Sequence, residues 1–115
     1  MQTIKIGYSP CPNDTFIFDA MVHEKVDTEG LKFEAVLKDV EELNQMAFRN
    51  ELEVSKLSYF ALANLLKSYQ LLNSGSALGS GVGPLLMAKQ HMTEEEIDAA
   101  RIAIPGKYTT ANFLL

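Results

Sequence analysis

Hydrophobic and polar residues alternate in two stretches near the start of the chain, as they do in half-buried β-strands. In the first stretch, Ile4 and Ile6 alternate with polar neighbours up to Gly7. In the second, apolar side chains occupy every other position of residues 31–37. Four shorter apolar segments predict further strands, at residues 53–57, 69–72, 84–88 and 101–104.

Helix signals lie between these segments. The first helix is predicted over residues 15–23, with Asn13 or Asp14 as its N-cap. The spacing of its apolar residues predicts that Phe16, Ile17, Ala20 and Met21 share one face of this helix. Three more helix starts are predicted at Asp39 and Thr93, from capping-box spacing to Glu42 and Glu96, and at Thr109 or Thr110.

A further helix is predicted from Ser58 to Leu66, and it is apolar nearly all round, which is the pattern of a buried helix. Strand and helix signals therefore alternate along the chain. This alternation predicts an α/β fold with a mostly parallel sheet, in which ligands bind beyond the carboxyl ends of the strands. The corresponding loops are at residues 8–14, 56–58, 75–83 and 106–110.

Composition narrows the function classes. The chain has 115 residues, enough for one domain, and its net charge of -5 argues against a nucleic-acid partner. The lone cysteine, Cys11, and the two scattered histidines predict no disulfide, metal or cofactor. Neither a leader segment nor an apolar run of bilayer length is recognised, so we expect a cytoplasmic protein with no membrane partner.

Two motifs suggest chemistry but lack the necessary context. The glycine-rich residues 74–83 have no Lys-Ser/Thr pair and lead into a predicted strand, unlike a phosphate-binding loop. Cys11 precedes a helix N-terminus, where a thiol can be activated. A nucleophile also needs a base, and His23 and His91 lie in unconnected segments. We therefore interpret the glycine-rich residues as sharp backbone turns near a cleft mouth, and the Cys-Pro-Asn-Asp turn as a rigid loop that directs backbone N–H groups into the cleft.

Two clusters of hydrogen-bond donors lie at predicted strand-to-helix junctions, Lys56-Leu57-Ser58 and Thr109-Thr110. Helix starts carry unsatisfied N–H groups and partial positive charge, which suit carboxylates and phosphates. The alternative interpretation is that Ser58 and a threonine only cap their own helices.

Four segments of the chain resemble the 1,4-dihydroxy-6-naphthoate synthase family, from the futalosine route to menaquinone. They lie at residues 9–18, 55–59, 81–86 and 104–111. The resemblance runs the length of the chain in order, and the opening segment, which begins Ser-Pro-Cys-Pro-Asn-Asp, is specific.

This resemblance implies the fold of type II periplasmic binding proteins, with two α/β lobes and a ligand cleft between them. Residues 1–104 would form the front part of lobe one, and residues 105–115 the hinge and the start of lobe two. The chain is therefore expected to be the front portion of a longer protein.

The resemblance also implies a lyase reaction on cyclic dehypoxanthinyl futalosine, which releases the anionic aromatic product 1,4-dihydroxy-6-naphthoate. Substrate contacts are implied at Lys56, Leu57, Ser58, Thr110 and Ala111, with Ser9, Asn13, Asp14 and Thr109 as further cleft lining. The family's general base is a histidine beyond Leu115, so the 115-residue chain is expected to be inactive alone.

Other functions remain open. They are a non-catalytic small-carboxylate-binding protein of the same fold, a chorismate dehydratase-like enzyme, and a purely structural or protein-interaction role. The opening segment favours the naphthoate synthase over the dehydratase. An incomplete fold would expose apolar surface and a sheet edge, which predicts self-association, for example as a homodimer.

Overall fold

The computed structural model describes residues 2–115, and strands and helices alternate along its first half. The strands within this range are β1 (Gln2–Tyr8), β2 (Leu31–Leu37) and β3 (Val54–Ser55). The helices are α1 (Pro12–Val22), α2 (Val40–Phe48), α3 (Tyr59–Ala63), α4 (Glu94–Asp98) and α5 (Thr110–Leu114). All strand pairing is parallel, in the order β2-β1-β3. The predicted α/β class and parallel sheet are therefore confirmed.

The sheet is built around β1, whose buried end faces α2. Ile6 pairs with Ala35 of β2 on one side and with Val54 of β3 on the other. A Cβ atom on Gly7 would lie 2.5 Å from Leu52 Cδ1 and 2.7 Å from Leu43 Cδ2. A side chain at this position would have to displace the ends of both leucine side chains, which pack directly against the strand backbone.

The core is small and lies in the first 65 residues. Its buried hydrophobic residues are Ile6, Tyr8, Leu43, Ala47, Leu52, Ala61 and Leu65. They lie on both faces of the sheet: Leu43 and Leu52 pack on the face to which Gly7 points, whereas Ile6 and Tyr8 point to the opposite face, where Tyr8 meets Phe18 of α1. Apolar burial of this kind is the dominant stabilising contribution to a fold.

Helix α1 differs from its prediction. It begins at Pro12 with Cys11 as N-cap, whereas the sequence pattern indicated a start at residue 15. Proline is preorganised for the first helical position because its φ is already near the helical value. Of the four apolar residues predicted to share a face, Ile17, Ala20 and Met21 are partly buried, whereas Phe16 is 85% exposed. Phe18 packs instead, with its ring 4.9 Å from that of Tyr8.

Helix α3 is shorter and less buried than predicted. It ends at Ala63, and Leu66 is 67% exposed. Only the side that carries Ala61 meets the rest of the core. The expectation of a helix buried on all sides is wrong, because Tyr59 and Ala63 are exposed, while Phe60 stacks on Phe113 of α5 with the ring centres 4.7 Å apart.

Three predicted N-caps are confirmed. The Asp39 carboxylate accepts hydrogen bonds from the backbone N–H groups of Glu41 and Glu42. Thr93 forms a complete capping box at the start of α4, and the Thr109 hydroxyl accepts from the Asn112 N–H at the start of α5. Each cap satisfies helix N–H groups that have no intrahelical partner.

The strands predicted after residue 66 are wrong. Within the described chain, residues 69–72, 84–88 and 101–104 form no regular strand. A strand is stable only when a neighbour takes up its backbone N–H and C=O groups, and no strand lies beside these segments in residues 2–115. Their apolar side chains stay exposed, Leu85 by 83% and Met87 by 86%.

The described chain is elongated. Its radius of gyration is 17.0 Å, against about 13 Å for a compact domain of this length. The principal extents are 58 × 28 × 22 Å. Among residues 2–115, no helix has both the length and the apolar character needed to cross a membrane.

Candidate functional site

A cleft of about 730 Å³ opens beside the carboxyl end of β3. Its walls come from β3 and the residues that follow it, from the start of α3, and from residues 68–77. The cleft therefore lies where a parallel sheet is expected to receive a ligand. Lys56, Leu57, Ser58 and Thr110, four of the predicted substrate contacts, are among its lining residues.

Lys56 carries the positive charge on the cleft wall. Its ammonium Nζ lies 3.4 Å from Asp14 Oδ1, and the two side chains are 23% and 10% exposed. The other oxygen of Asp14 accepts hydrogen bonds from the backbone N–H and the hydroxyl of Ser9. The fold thus brings together three residues that were predicted separately, because the β1–α1 loop lies next to the residue that follows β3.

Ser58 is anchored by a residue that the sequence pattern did not single out. Asn44 is fully buried, and its Oδ1 accepts the Ser58 N–H at 3.1 Å. Asn44 Nδ2 lies 3.2 Å from Ser58 Oγ and 3.4 Å from the Tyr108 carbonyl. The available signal was an asparagine on the same face of α2 as Val40 and Ala47, where an apolar residue would be usual.

The same helix holds the segment before α5. Glu41 Oε2 accepts the Tyr108 N–H at 3.1 Å, and the rings of Phe48 and Tyr108 are 4.6 Å apart. A Cβ on Gly106 would meet the Glu41 side chain, so that glycine permits close approach. Helix α2 therefore holds both predicted strand-to-helix junctions, the one at Ser58 through Asn44 and the one before α5 through Glu41.

Thr109, Thr110 and Ala111, the residues predicted at the second strand-to-helix junction, lie in different environments. Thr110 lines the cleft, whereas Thr109 is only 3% exposed. The Thr109 hydroxyl is engaged locally, since it donates to the Gly106 carbonyl at 2.8 Å. Ala111 lines a second, apolar cavity of about 300 Å³, together with residues that include Ile104 and Leu114.

The β1–α1 loop presents its predicted residues differently. Ser9 and Asp14 are turned inward toward Lys56, while Asn13 is exposed in the first turn of α1. Cys11 is also exposed, and the Ser9 hydroxyl beside it lowers the pKa of its thiol. His23 is engaged by Asp19 at the far end of α1, where its Nδ1 lies 3.0 Å from the carboxylate.

Two aromatic residues in the cleft were missed as site residues. Phe18 and Tyr69 both line it, and the Tyr69 hydroxyl donates to the Leu52 carbonyl at 2.7 Å. Burial raises the pKa of Tyr69, so the phenol stays protonated and keeps that bond. The sequence pattern had assigned Tyr69 to a strand, and only the fold shows that it faces the cleft.

Charged residues are distributed unevenly along the chain, and the segment that supplies much of the cleft lining is basic. Residues 54–93 contain three lysines and no aspartate or glutamate, although the whole chain has a net charge of -5. Glu53 is the acidic residue in the cleft lining. In the part of the chain that the structure describes, no three His, Cys, Asp or Glu side chains are grouped so that they could hold a metal ion.

Fold and site together define an α/β protein with an open, partly aromatic cleft and one ion-paired lysine at the carboxyl edge of a parallel sheet. A family model for menaquinone biosynthesis matches residues 4–115. The chain therefore belongs to this menaquinone-biosynthesis family. The resemblance drawn from the sequence motifs is confirmed.

Named relatives agree with the family. The chain is 48% identical over 115 residues to a 1,4-dihydroxy-6-naphthoate synthase of Thermus thermophilus. It is 39% identical over 113 residues to one of Streptomyces coelicolor. All or nearly all of the chain is covered, but it spans only 41% and 39% of the lengths of these relatives.

A solved structure has the same fold. The crystal structure of a protein from Archaeoglobus fulgidus superposes with a TM-score of 0.89 at 44% sequence identity. The superposition covers 97% of this chain and 41% of that protein.

Proposed function

We propose that this chain forms the substrate-holding part of a lyase that converts cyclic dehypoxanthinyl futalosine to 1,4-dihydroxy-6-naphthoate. The observation that carries the proposal is the cleft itself, in which the Lys56 ammonium lies among aromatic and apolar walls. Support also comes from the two relatives named as 1,4-dihydroxy-6-naphthoate synthases.

The proposed binding mode follows from the chemistry of the lining. The apolar sides of Phe18 and Tyr69 suit the face of an aromatic ring system, since aromatic pairs prefer stacked or edge-to-face contacts. Lys56 suits the carboxylate, because a hydrogen bond between charged groups is stronger than a neutral one. The hydroxyls of Ser58 and Thr110 suit the polar substituents of the ring.

We propose that residues 1–104 belong to one lobe of a type II periplasmic-binding-protein-like fold, and that residues 105–115 connect to a second lobe. The relatives are more than twice as long as the chain, so the facing wall of the cleft has room in their remaining length. The general base is placed there as well, which leaves the 115-residue chain inactive by itself. We also propose that the enzyme is cytoplasmic.

The direct test is the binding of 1,4-dihydroxy-6-naphthoate to the 115-residue chain, measured by calorimetry. Lys56→Met is expected to weaken binding at least about tenfold, as loss of a charged hydrogen bond does. The matched control is Lys67→Met, which removes an exposed lysine outside the cleft and should leave binding unchanged. The proposal fails if the wild-type chain does not bind, or if both variants bind equally well.

A second measurement concerns catalysis. The chain is incubated with cyclic dehypoxanthinyl futalosine, and naphthoate release is followed by its absorbance. No release is expected, because a positioned base contributes about 10²–10⁴-fold in rate and none of the proposed contacts supplies one. Turnover by the 115-residue chain would contradict the proposed division between binding and catalysis.

A further inference from the structure

Asp14 is a nearly buried carboxylate in the first turn of α1, only 7% exposed. Its two oxygens have separate partners. Oδ2 accepts two hydrogen bonds from Ser9, from the backbone N–H at 3.1 Å and from the hydroxyl at 2.9 Å. Oδ1 faces Lys56 Nζ at 3.4 Å. Because Ser9 holds one oxygen from two directions, the other oxygen points in a fixed direction.

Lys56 is fixed at both ends of its side chain. Its backbone N–H donates to the Gly7 carbonyl at 2.7 Å, which continues the pairing between β1 and β3. Its ammonium is held by Asp14. A free lysine side chain loses considerable rotamer entropy when a ligand orders it, and here the ion pair has already restricted those rotamers.

The pair also leaves capacity for a ligand. An ammonium group has three N–H donors, and Asp14 approaches the Lys56 ammonium from one side only, so N–H donors on the other side remain for a ligand. A purely surface pair between Asp19 of α1 and Lys25, which follows the end of that helix, provides the contrast, since the side chains of Lys25 and Asp19 are 60% and 45% exposed. Such exposed pairs are screened by solvent and contribute little, whereas a partly buried pair keeps more of its attraction.

We propose that Asp14 is a positioning residue that holds the Lys56 ammonium at the cleft wall for the carboxylate of the ligand. This inference rests on the proposed function for the identity of the ligand, and on the Ser9–Asp14–Lys56 geometry for the role of Asp14. Asp14 acts through Lys56 and makes no ligand contact of its own.

A double-mutant cycle separates positioning from a structural role. Asp14→Asn is expected to weaken naphthoate binding about threefold to tenfold in the wild-type chain and to have no further effect in the Lys56→Met background. If Asp14 only stabilised its loop, it would weaken binding by the same factor in both backgrounds, and the inference would be wrong. Asp19→Asn is the matched control on the same helix and should leave binding unchanged. Circular dichroism checks that each variant remains folded.

A ligand-independent measurement keeps this inference separate from the proposed function. Acetic anhydride labelling is read by mass spectrometry, with Lys67 as internal reference. Asp14→Asn is expected to speed acetylation of Lys56 about threefold or more, because the amine loses its ion-pair partner. Faster labelling without naphthoate binding by the wild-type chain would refute the proposed ligand and retain the positioning role. Unchanged labelling would overturn the positioning role itself.

Discussion

Residues 2–65 and residues 66–104 differ sharply in how their apolar side chains are used. The first region has seven leucines in 64 residues, and the second has six in 39, so the second is the richer. Yet Leu43 and Leu52 of the first region are buried, at 1% and 4% exposure, while Leu78 of the second is 92% exposed. Apolar content therefore does not explain which region forms a core.

The difference lies in backbone pairing. β1 is hydrogen-bonded on both sides, so its residues and those of α2 meet across a fixed distance. Within residues 2–115, the segment at 84–88 has no neighbouring strand to define a sheet face. A side chain is buried only when another layer covers it, and a layer requires paired strands or a packed helix. The comparison shows that the first region carries the fold that positions the cleft.

The largest expected effect is on the core of the first region. Leu43→Ala should lower the free energy of unfolding by about 2–5 kcal/mol, because it removes buried methyl groups and leaves a cavity. The paired change in the second region, Leu78→Ala, should stay within about 0.5 kcal/mol, since that side chain is exposed. Urea denaturation followed by circular dichroism measures both. Equal effects would contradict the contrast between the two regions.

The next effect concerns the link between the first region and the segment before α5. Asn44→Ala should cost about 1–3 kcal/mol of stability, because the partly buried Ser58 N–H loses its acceptor. The control is Asn64→Ala, whose side chain bonds only the Phe60 carbonyl at an exposed position. Thermal unfolding measures the stability of both variants. An equal loss of stability in Asn64→Ala would contradict the claim that Asn44 links the first region to the segment before α5.

The exposed apolar surface of the second region predicts self-association of the 115-residue chain. Burying one leucine contributes about 1.5–3 kcal/mol, so Leu78→Glu and Leu85→Glu should each weaken the dimer at least about tenfold. Phe16→Glu is the matched control, because Phe16 is equally exposed but lies on α1 in the first region. Light scattering at several concentrations measures the association. A wild-type chain that stays monomeric would refute this expectation.

The smallest effect is a pH dependence at Tyr69. Burial raises the pKa of this phenol above its ordinary value, so its contribution to stability is complete below about pH 10. That contribution is lost as the pH rises through the raised pKa. Absorbance at 295 nm should show a late ionisation to which Tyr8 also contributes, because burial raises its pKa too. The amplitude of this late ionisation should fall in Tyr69→Phe and stay the same in the exposed control Tyr59→Phe, and an unchanged amplitude in Tyr69→Phe would contradict the assignment.

Part of this structure could be predicted from local patterns. The caps at Asp39, Thr93 and Thr109 were predictable because each depends on residues within one helical turn. The alternation at Leu31–Leu37 also placed β2 correctly. The start of α1 was predicted too late in the chain. Asp14, a good N-cap residue, lies inside the first turn of the helix, where its carboxylate accepts hydrogen bonds from Ser9.

For the candidate site, the sequence supplied expected substrate contacts, from its loops and from the family motifs. Of these, Lys56 and Ser58 line the cleft, and their contact with substrate stays a prediction. Asn44, which anchors Ser58, was not foreseen. Its role depends on the packing of α2 against the start of α3. No pattern of neighbouring residues contains that information.

The sequence by itself determined the family, the α/β alternation and the helix caps, because these depend on residues close together along the chain. Only the tertiary structure decided that Asp14 meets Lys56, that Thr109 is buried beside an exposed cleft, and that the second region stays open. Contacts between distant segments form when several elements pack together, and the cost of closing the intervening loops is repaid by all of those contacts at once.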